Sequence, residues 1–281
     1  MEGDRIALAA AAPRLGAAAW GRCLAGIARR EALRFVHQRG RFFSALVRPL
    51  VWLAIFAAGF RFVLGVSISP PYETYVLYEV YVVPGLAGMV LLFQGMQSSL
   101  SMVYDREVGS MRVLLTSPLP RWWLLFCKLL AAVLVGTAQV YVFLLIARFW
   151  EVEPPLIGYL TVLPALVLAG MMLGALGLLL SSWIRQLENF AGVMNFVIFP
   201  MFFASSALYP LWRVQESSLP LWYLCQANPF THAVELIRFA LYARFDPASC
   251  AVVLAALLVF GGAAVLGYDP QRGMLARRAP A

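Results

Sequence analysis

Long apolar runs without charges dominate this chain, and short polar connections separate them. We predict six membrane-crossing helices, at about residues 49–66, 81–103, 122–147, 158–182, 189–212 and 247–268. Each run is near the ~20 residues that a helix needs to cross ~30 Å of hydrocarbon. Helices are expected because a bilayer interior cannot satisfy the polar groups of an open backbone. The pattern therefore predicts an all-α membrane protein in which residues 44–269 form a six-helix transmembrane domain.

The segment before the first span, residues 20–43, predicts a different kind of helix. Apolar side chains recur on one face at helical spacing, and arginines lie opposite. Such an apolar stripe backed by arginines is typical of an amphipathic helix in the membrane interface. The helix either anchors the chain only or also has a mechanical role. The residues that define its two faces are Trp20, Leu24, Ile27, Arg29, Arg30 and Phe35.

Composition agrees with a membrane location, and the basic residues predict an orientation. Charged residues make up 13% of the chain, against about a quarter of a soluble domain. The net charge is +8, and most arginines precede the first span, follow the second or lie in the tail 270–281. Cytoplasmic loops are rich in Lys and Arg, so we predict that both termini face the cytoplasm, residues 1–19 as a flexible tail. The basic residues predict contact with lipid and no nucleic-acid partner.

The sequence shows no catalytic or metal-binding pattern. The two histidines, His37 and His232, lie far apart, and the four cysteines lack metal-ligand spacing. No phosphate-cradling GxxxxGK[ST] loop is present, so ATP and Mg²⁺ are expected on a partner chain only and no cofactor on this one. Cys225 and Cys250 both fall on the predicted outer side, where a disulfide is possible.

The connection between the second and third spans carries the most informative motif. Charged residues open it, apolar residues then recur at helical spacing, and proline closes it. This pattern predicts a short amphipathic helix on the cytoplasmic surface that inserts into a groove of a partner. An ordinary helical loop is the alternative. The segment comprises Asp105, Arg106, Glu107, Gly109, Met111, Arg112, Leu114, Ser117 and Pro118.

A second group of motifs surrounds the end of the fifth span. Tyr209-Pro210 closes a Ser-Ser-Ala-Leu-Tyr-Pro run, and Asn228-Pro229 is followed by Glu235 and Arg238. Together with the Asp-Arg-Glu-x-Gly-Ser-Met segment, these motifs resemble the permease of type-2 ATP-binding-cassette (ABC) exporters, from about Trp20 to the sixth span. Arg112 departs from the resemblance, because many relatives carry an acidic residue there. That departure concerns only the charge pairing with an ATPase.

The resemblance implies a half-transporter of the bacterial inner membrane that is not itself an enzyme. It would form a homodimer or heterodimer of permeases and pair with two copies of a separate ABC ATPase subunit. Residues 105–118 would be the coupling helix, and residues 212–243 would be short re-entrant helices in the outer leaflet before the last span. Glu235 and Arg238 would either hold an outer gate or form a local ion pair at the surface.

Two other classes of protein stay open at this point. A stand-alone secondary transporter or channel would show intramembrane charges or internal repeats, and neither is evident. A membrane assembly protein would use the cytoplasmic helix only for docking.

Two further patterns are ambiguous. Gly170 and Gly174 form a GxxxG in the fourth span, for which we favour packing within the chain over a dimer seam. Six phenylalanines either line an apolar path or, as is commoner, pack in the core or face lipid. They are Phe93, Phe143, Phe196, Phe199, Phe202 and Phe203.

Overall fold

The fold is helical throughout the part of the chain that a computed structural model describes, namely residues 16–37, 39–60, 71–72, 77–109, 119–150, 152–184 and 186–268. No strand occurs among these residues. Its α-helices are α1 (Ala17–His37), α2 (Arg39–Phe60), α3 (Tyr78–Glu107), α4 (Arg121–Ala147), α5 (Gly158–Trp183), α6 (Leu187–Phe203), α7 (Leu211–Ser217), α8 (Leu219–Ala227), α9 (Pro229–Leu241) and α10 (Pro247–Gly267).

Four helices are long and apolar enough to cross a membrane, and they match the second, third, fourth and sixth predicted spans. They are α3, α4, α5 and α10, of which even the shortest has 21 residues. At ~1.5 Å per residue, 21 residues cover the ~30 Å hydrocarbon core. The described part of the chain is therefore all-helical, and it contains several membrane-spanning segments.

The first and fifth predicted spans correspond to shorter apolar helices. In α2 the apolar part runs over Leu46–Phe56, and α6 has 17 residues. The predicted end of the fifth span at residue 212 is wrong, because α6 ends at Phe203 and the chain turns over residues 204–210. Six spans, and the cytoplasmic location of both termini, stay predictions.

Helix α1 covers most of the segment predicted to lie in the membrane interface. Arg29 and Arg30 are exposed, whereas Trp20, Leu24 and Ile27 are partly buried, as an amphipathic helix requires. Residues 39–43 belong instead to α2, which continues into the first apolar stretch. The side chain of Phe35 and both predicted tails, apart from the first residues of α1, lie outside the described residues.

Helix α3 is the centre of the bundle. It packs against α2, α4, α5, α6 and α9, and almost all of its apolar length is buried. Helix α10 is the opposite case, since it contacts mainly α5 and α9 and leaves most of its apolar surface exposed. In a membrane protein, such an apolar surface faces lipid.

Small residues allow α3 and α5 to cross at very short distance. A Cβ atom added to Gly95 of α3 would lie 2.9 Å from the Cα atom of Gly174 of α5, and one added to Gly177 would lie 2.6 Å from the Ser99 hydroxyl. A Cβ atom added to Gly170 would likewise lie close to the Val133 side chain of α4. The GxxxG of the fourth span therefore packs within the chain, which confirms the favoured prediction.

This crossing yields a prediction about stability. Gly174→Val should lower the free energy of unfolding by about 1–3 kcal/mol, because the added methyl groups have no space against α3 and α4. The measurement is thermal or denaturant unfolding of the detergent-solubilised chain. Gly262→Val in α10 is the matched control, since nothing lies within 4 Å of its Cβ position. Equal unfolding curves for the two variants would refute the packing role of this crossing.

Candidate functional site

The Asp105-Arg106-Glu107 triplet forms the last turn of α3, and each of its side chains contacts a different neighbour. The sequence placed these residues after the second span, in a separate helix; that boundary is wrong, because α3 continues to Glu107. Gly109, with a φ of 81°, follows the helix end. Glycine adopts this left-handed conformation without steric cost, so the chain can turn directly after the triplet.

Asp105 forms a buried ion pair with the chain's single lysine. The Lys128 Nζ of α4 lies 3.0 Å from the Asp105 Oδ2, and the two side chains are 5% and 8% exposed. Arg30 of α1 approaches the same carboxylate oxygen to 3.8 Å. Because a charge costs several kcal/mol to bury unless it is paired, this pair determines how the ends of α3 and α4 meet.

The other two members of the triplet contact the ends of two more helices. The Arg106 guanidinium lies 4.8 Å from the centroid of the Tyr268 ring, directly after α10. The Glu107 Oε1 accepts a hydrogen bond of 2.8 Å from the backbone N–H of Leu187, at the beginning of α6. A carboxylate is favourable there, because the N-terminus of a helix carries partial positive charge. The triplet thus joins α3 to α1, α4, α6 and the end of α10.

Tryptophans join α1 to the same end of the bundle. The Trp20 ring centroid lies 5.6 Å from that of Trp122 and 5.1 Å from that of Trp123, at the start of α4. Trp123 in turn stacks on Phe126. Tryptophan is enriched at membrane interfaces, so the cluster agrees with a position of α1 at the membrane surface.

Part of the predicted coupling segment lies outside the described residues. These positions are Met111, Arg112, Leu114, Ser117 and Pro118. Their amphipathic helix stays a prediction, and the structure describes the contacts of the triplet that precedes it.

A second polar cluster lies at the opposite end of α3, around the turn 204–210. Arg238 of α9 is 2% exposed, pairs with Glu235, and donates a 2.8 Å hydrogen bond to the Ser206 carbonyl. The Tyr81 hydroxyl of α3 donates to the same carbonyl at 3.0 Å. The i,i+3 ion pair is therefore present, but the alternative that placed Arg238 at the surface is wrong, because the turn and α3 cover it; a role of the pair in an outer gate stays a prediction.

The same turn receives hydrogen bonds from α3 and from the loop before α9. The Tyr78 hydroxyl donates to the Leu208 carbonyl at 2.7 Å. The Asn228 amide donates to the carbonyls of Met201 and Ala204, both at 2.7 Å. The turn is therefore held by side chains that are far from it in sequence.

The remaining predicted residues of this region belong to the same arrangement. The Tyr209 hydroxyl donates to the Phe203 carbonyl at the end of α6. Pro210 is buried and precedes α7, and Pro229 begins α9. The short helices α7, α8 and α9 occupy the segment for which re-entrant helices are predicted. Cys225 and Cys250 are both free, so the possible disulfide is not formed.

Two tyrosines that sequence reasoning missed complete this second polar cluster. The Tyr72 ring centroid lies 4.9 Å from that of Tyr242 and 6.4 Å from that of Tyr81. Burial raises the pKa of Tyr242 to about 12 and raises the pKa of Tyr72 further, although Arg238 lowers both. Both phenols are therefore neutral at cellular pH. The sequence contained a signal for Tyr72, because tyrosine recurs every third residue at 72, 75, 78 and 81.

The six phenylalanines divide into two groups. Phe143 and Phe202 are buried and Phe93 nearly so, in the core around α3. Phe196, Phe199 and Phe203 are exposed on α6. Core packing explains the first group, while a role of the second group in an apolar path stays a prediction.

Comparison with known proteins agrees with this architecture. A sequence model of the ABC-2 type transporter family matches residues 23–242. The chain is 31% identical over 166 residues to a probable multidrug ABC transporter permease, YbhR, of Escherichia coli K12, which covers 57% of this chain and 43% of the relative. It is 27% identical over 203 residues to the putative transport permease ycf38 of Cyanophora paradoxa, with coverages of 70% and 66%.

The family match covers well over half of the chain. The protein therefore belongs to the ABC-2 type transporter family, and it is a multi-pass membrane protein. The aligned region spans less than half the length of the Escherichia coli relative.

The buried ion pair yields a second prediction. Asp105→Asn should destabilise the chain by about 3–5 kcal/mol, because it leaves the Lys128 charge buried without its carboxylate. The double variant Asp105→Asn with Lys128→Met should recover most of this loss in a thermal-unfolding cycle. Glu153→Gln serves as the control, because its pair with Arg148 is exposed and its loss should change stability by less than about 0.5 kcal/mol. Additive effects of the two single substitutions would contradict a direct Asp105–Lys128 interaction.

The second polar cluster yields a third prediction. Tyr81→Phe should lower the free energy of local opening of residues 204–210 by about 1 kcal/mol, because it removes one hydrogen bond to the Ser206 carbonyl. Amide hydrogen exchange in this turn should then be about fivefold faster. Tyr223→Phe is the control, because that side chain is exposed on α8. Unchanged exchange in the Tyr81 variant would show that this hydrogen bond does not hold the turn.

Proposed function

We propose that this chain is the membrane-spanning permease subunit of an ATP-driven ABC exporter, and that it forms its translocation path as a dimer coupled to a separate ATPase. The observation that carries the proposal is the Asp105-Arg106-Glu107 triplet. It forms the beginning of the predicted coupling segment and contacts four other parts of the bundle. A force applied to that segment therefore reaches several helices at once.

Helix α3 connects the triplet to the second polar cluster. It has 30 residues and is thus about 45 Å long. Its last turn carries the triplet, and its first turns carry Tyr78 and Tyr81, which hold the turn 204–210. In our proposal, ATP binding closes two ATPase subunits and shifts the coupling segment of each permease. The buried helix α3 transmits this shift, and the outer turn is released so that substrate leaves outward.

The exposed aromatic side of α6 is our candidate lining of the path. Phe196, Phe199 and Phe203 present apolar surface there, and a second copy of the chain or another permease would complete the path. The Escherichia coli relative is named as a probable multidrug permease. By analogy with that name, apolar small molecules are the substrate class that we would test first.

The proposal also specifies where ATP binds and in which membrane the protein lies. ATP and Mg²⁺ would bind to the ATPase subunits, of which a dimer of permeases would engage two copies, and none would bind to this chain. The membrane would be the bacterial inner membrane, with the triplet at its cytoplasmic side. Family membership supports the kind of partner.

Co-purification with the candidate ATPase tests the proposal. The wild type should associate with it and show ATP-driven transport, whereas Leu114→Asp should lose the association because a charge replaces an apolar anchor of the coupling segment. Glu107→Gln should retain the association but transport roughly 5- to 150-fold less per ATP, the range of ordinary coupling free energies. Glu153→Gln, on an exposed side chain away from the triplet, is the control.

Two outcomes would contradict the proposal. A folded wild-type chain that associates with no ATPase would exclude the exporter and favour a stand-alone transporter or an assembly protein. Full transport by Glu107→Gln would leave the exporter intact but remove the triplet from the coupling route.

A further inference from the structure

A cavity of about 320 Å³ lies between α5, α9 and the beginning of α10, and the proposed coupling route does not use it. This volume is at the lower end of the range for ligand-binding cavities. On α5 the wall includes Thr161, Ala165 and Leu168, which follow one another on one face of the helix. Leu236 and Ala240 of α9 form another part of the wall. From Thr161 to Leu168 the cavity extends about 10 Å along the axis of α5.

The interior of the cavity is apolar, and a cation lies at its mouth. The Thr161 hydroxyl donates a 2.6 Å hydrogen bond to the Ala240 carbonyl, which joins α5 to the end of α9. Among the described residues that line the cavity, Arg244 is the only charged one, and it lies in the turn between α9 and α10. Arg244 and the neighbouring Phe245 are exposed, so this turn forms the opening.

Backbone hydrogen bonds on both sides fix the position of that turn. Helix α9 is followed by Ala243 with a φ of 55°, and the Arg244 N–H donates a 2.9 Å hydrogen bond to the Phe239 carbonyl. This is the Schellman arrangement of a helix end, in which glycine is the usual left-handed residue. The Asp246 carboxylate accepts a hydrogen bond from the Ala248 N–H and so begins α10. The backbone of Arg244 is therefore held at the mouth of the cavity.

The surface around the mouth faces lipid. Leu160 of α5 is 74% exposed, Phe245 is 70% exposed, and α10 leaves most of its apolar surface uncovered. In a membrane protein, acyl chains cover such surface. A guanidinium binds phosphate through two parallel hydrogen bonds, and a phospholipid carries its phosphate directly above its acyl chains. A phospholipid therefore matches both the chemistry of the cavity and its direction into the bundle.

We propose that this cavity is a phospholipid-binding site, in which one acyl chain fills the apolar interior and Arg244 binds the lipid phosphate. A free phosphate ion would leave the apolar interior empty, and an uncharged apolar molecule would not use the cation at the mouth. The bound lipid would connect α10, which contacts mainly α5 and α9, more firmly to the bundle. The site is independent of the proposed function, because it requires only the membrane around the chain.

Cys250 allows occupancy of the site to be measured, because it is a free, partly buried thiol that lines the cavity. The full chain in dodecyl maltoside is titrated with dioleoyl phosphatidylglycerol and alkylated with N-ethylmaleimide, and each thiol is quantified by mass spectrometry. The lipid should slow alkylation of Cys250 and leave that of Cys23, on α1, unchanged. Inorganic phosphate should not protect Cys250. Dioleoylglycerol, which has the same chains but no phosphate, should bind roughly tenfold more weakly.

Substitution of the cation separates its role from that of the cavity. Arg244→Gln should raise the phosphatidylglycerol concentration for half-maximal protection roughly tenfold, because the charged hydrogen bonds to phosphate are lost. Arg244→Lys keeps the charge and should retain most of the affinity. Arg148→Gln is the matched control, since it removes an exposed arginine at the end of α4. Thermal unfolding of each variant checks that it is folded.

Three outcomes would overturn the proposal. Phosphatidylglycerol that fails to protect Cys250 would exclude a lipid from the cavity. Equal protection by dioleoylglycerol, or an unchanged affinity in Arg244→Gln, would exclude recognition of the phosphate. Protection by the apolar dye rhodamine 6G but not by the phospholipid would assign the cavity to a transported compound instead.

Discussion

At Gly95 and Gly174 the backbones of α3 and α5 approach so closely that no side chain fits between them. In a bilayer the hydrophobic effect does not drive helices together, so close van der Waals packing has to do so. This contact places α3 in the middle of the bundle, where α2, α4, α5, α6 and α9 pack against it. The positions of both polar clusters follow, because they lie at the two ends of this one buried helix.

The charges at those ends are paired in ways that favour one arrangement of the helices. Lys128 has the Asp105 carboxylate, and Arg238 has both Glu235 and the Ser206 carbonyl. A buried ion pair contributes little net stability compared with an apolar contact, but breaking it is costly. The Asp105–Lys128 pair therefore penalises alternative registers of α3 against α4, and the hydrogen bond of Arg238 to the Ser206 carbonyl holds the turn 204–210 against α9.

The long apolar helices were predictable from the sequence because the bilayer itself imposes their length. Contacts between segments that are far apart in sequence were harder to predict. The predicted end of the fifth span was wrong, because hydrogen bonds from Tyr78 and Asn228 hold a turn that the pattern of apolar residues does not reveal. Of the two alternatives for Arg238, the one that placed it at the surface was wrong, because helical spacing identifies an ion pair but not what covers it. The partner of Lys128 could have been inferred, since a lone lysine within an apolar span requires a nearby carboxylate.

The Asp105–Lys128 pair also bears on how the chain enters the membrane during synthesis. Lys128 lies about two turns inside α4, and α3 is made before it. A lysine in a membrane helix is costly to insert alone, but its cost falls when a carboxylate on the preceding helix accompanies it. We therefore expect α3 and α4 to be integrated together as a helical hairpin, so that the same two side chains serve both membrane insertion and the packing of the folded bundle.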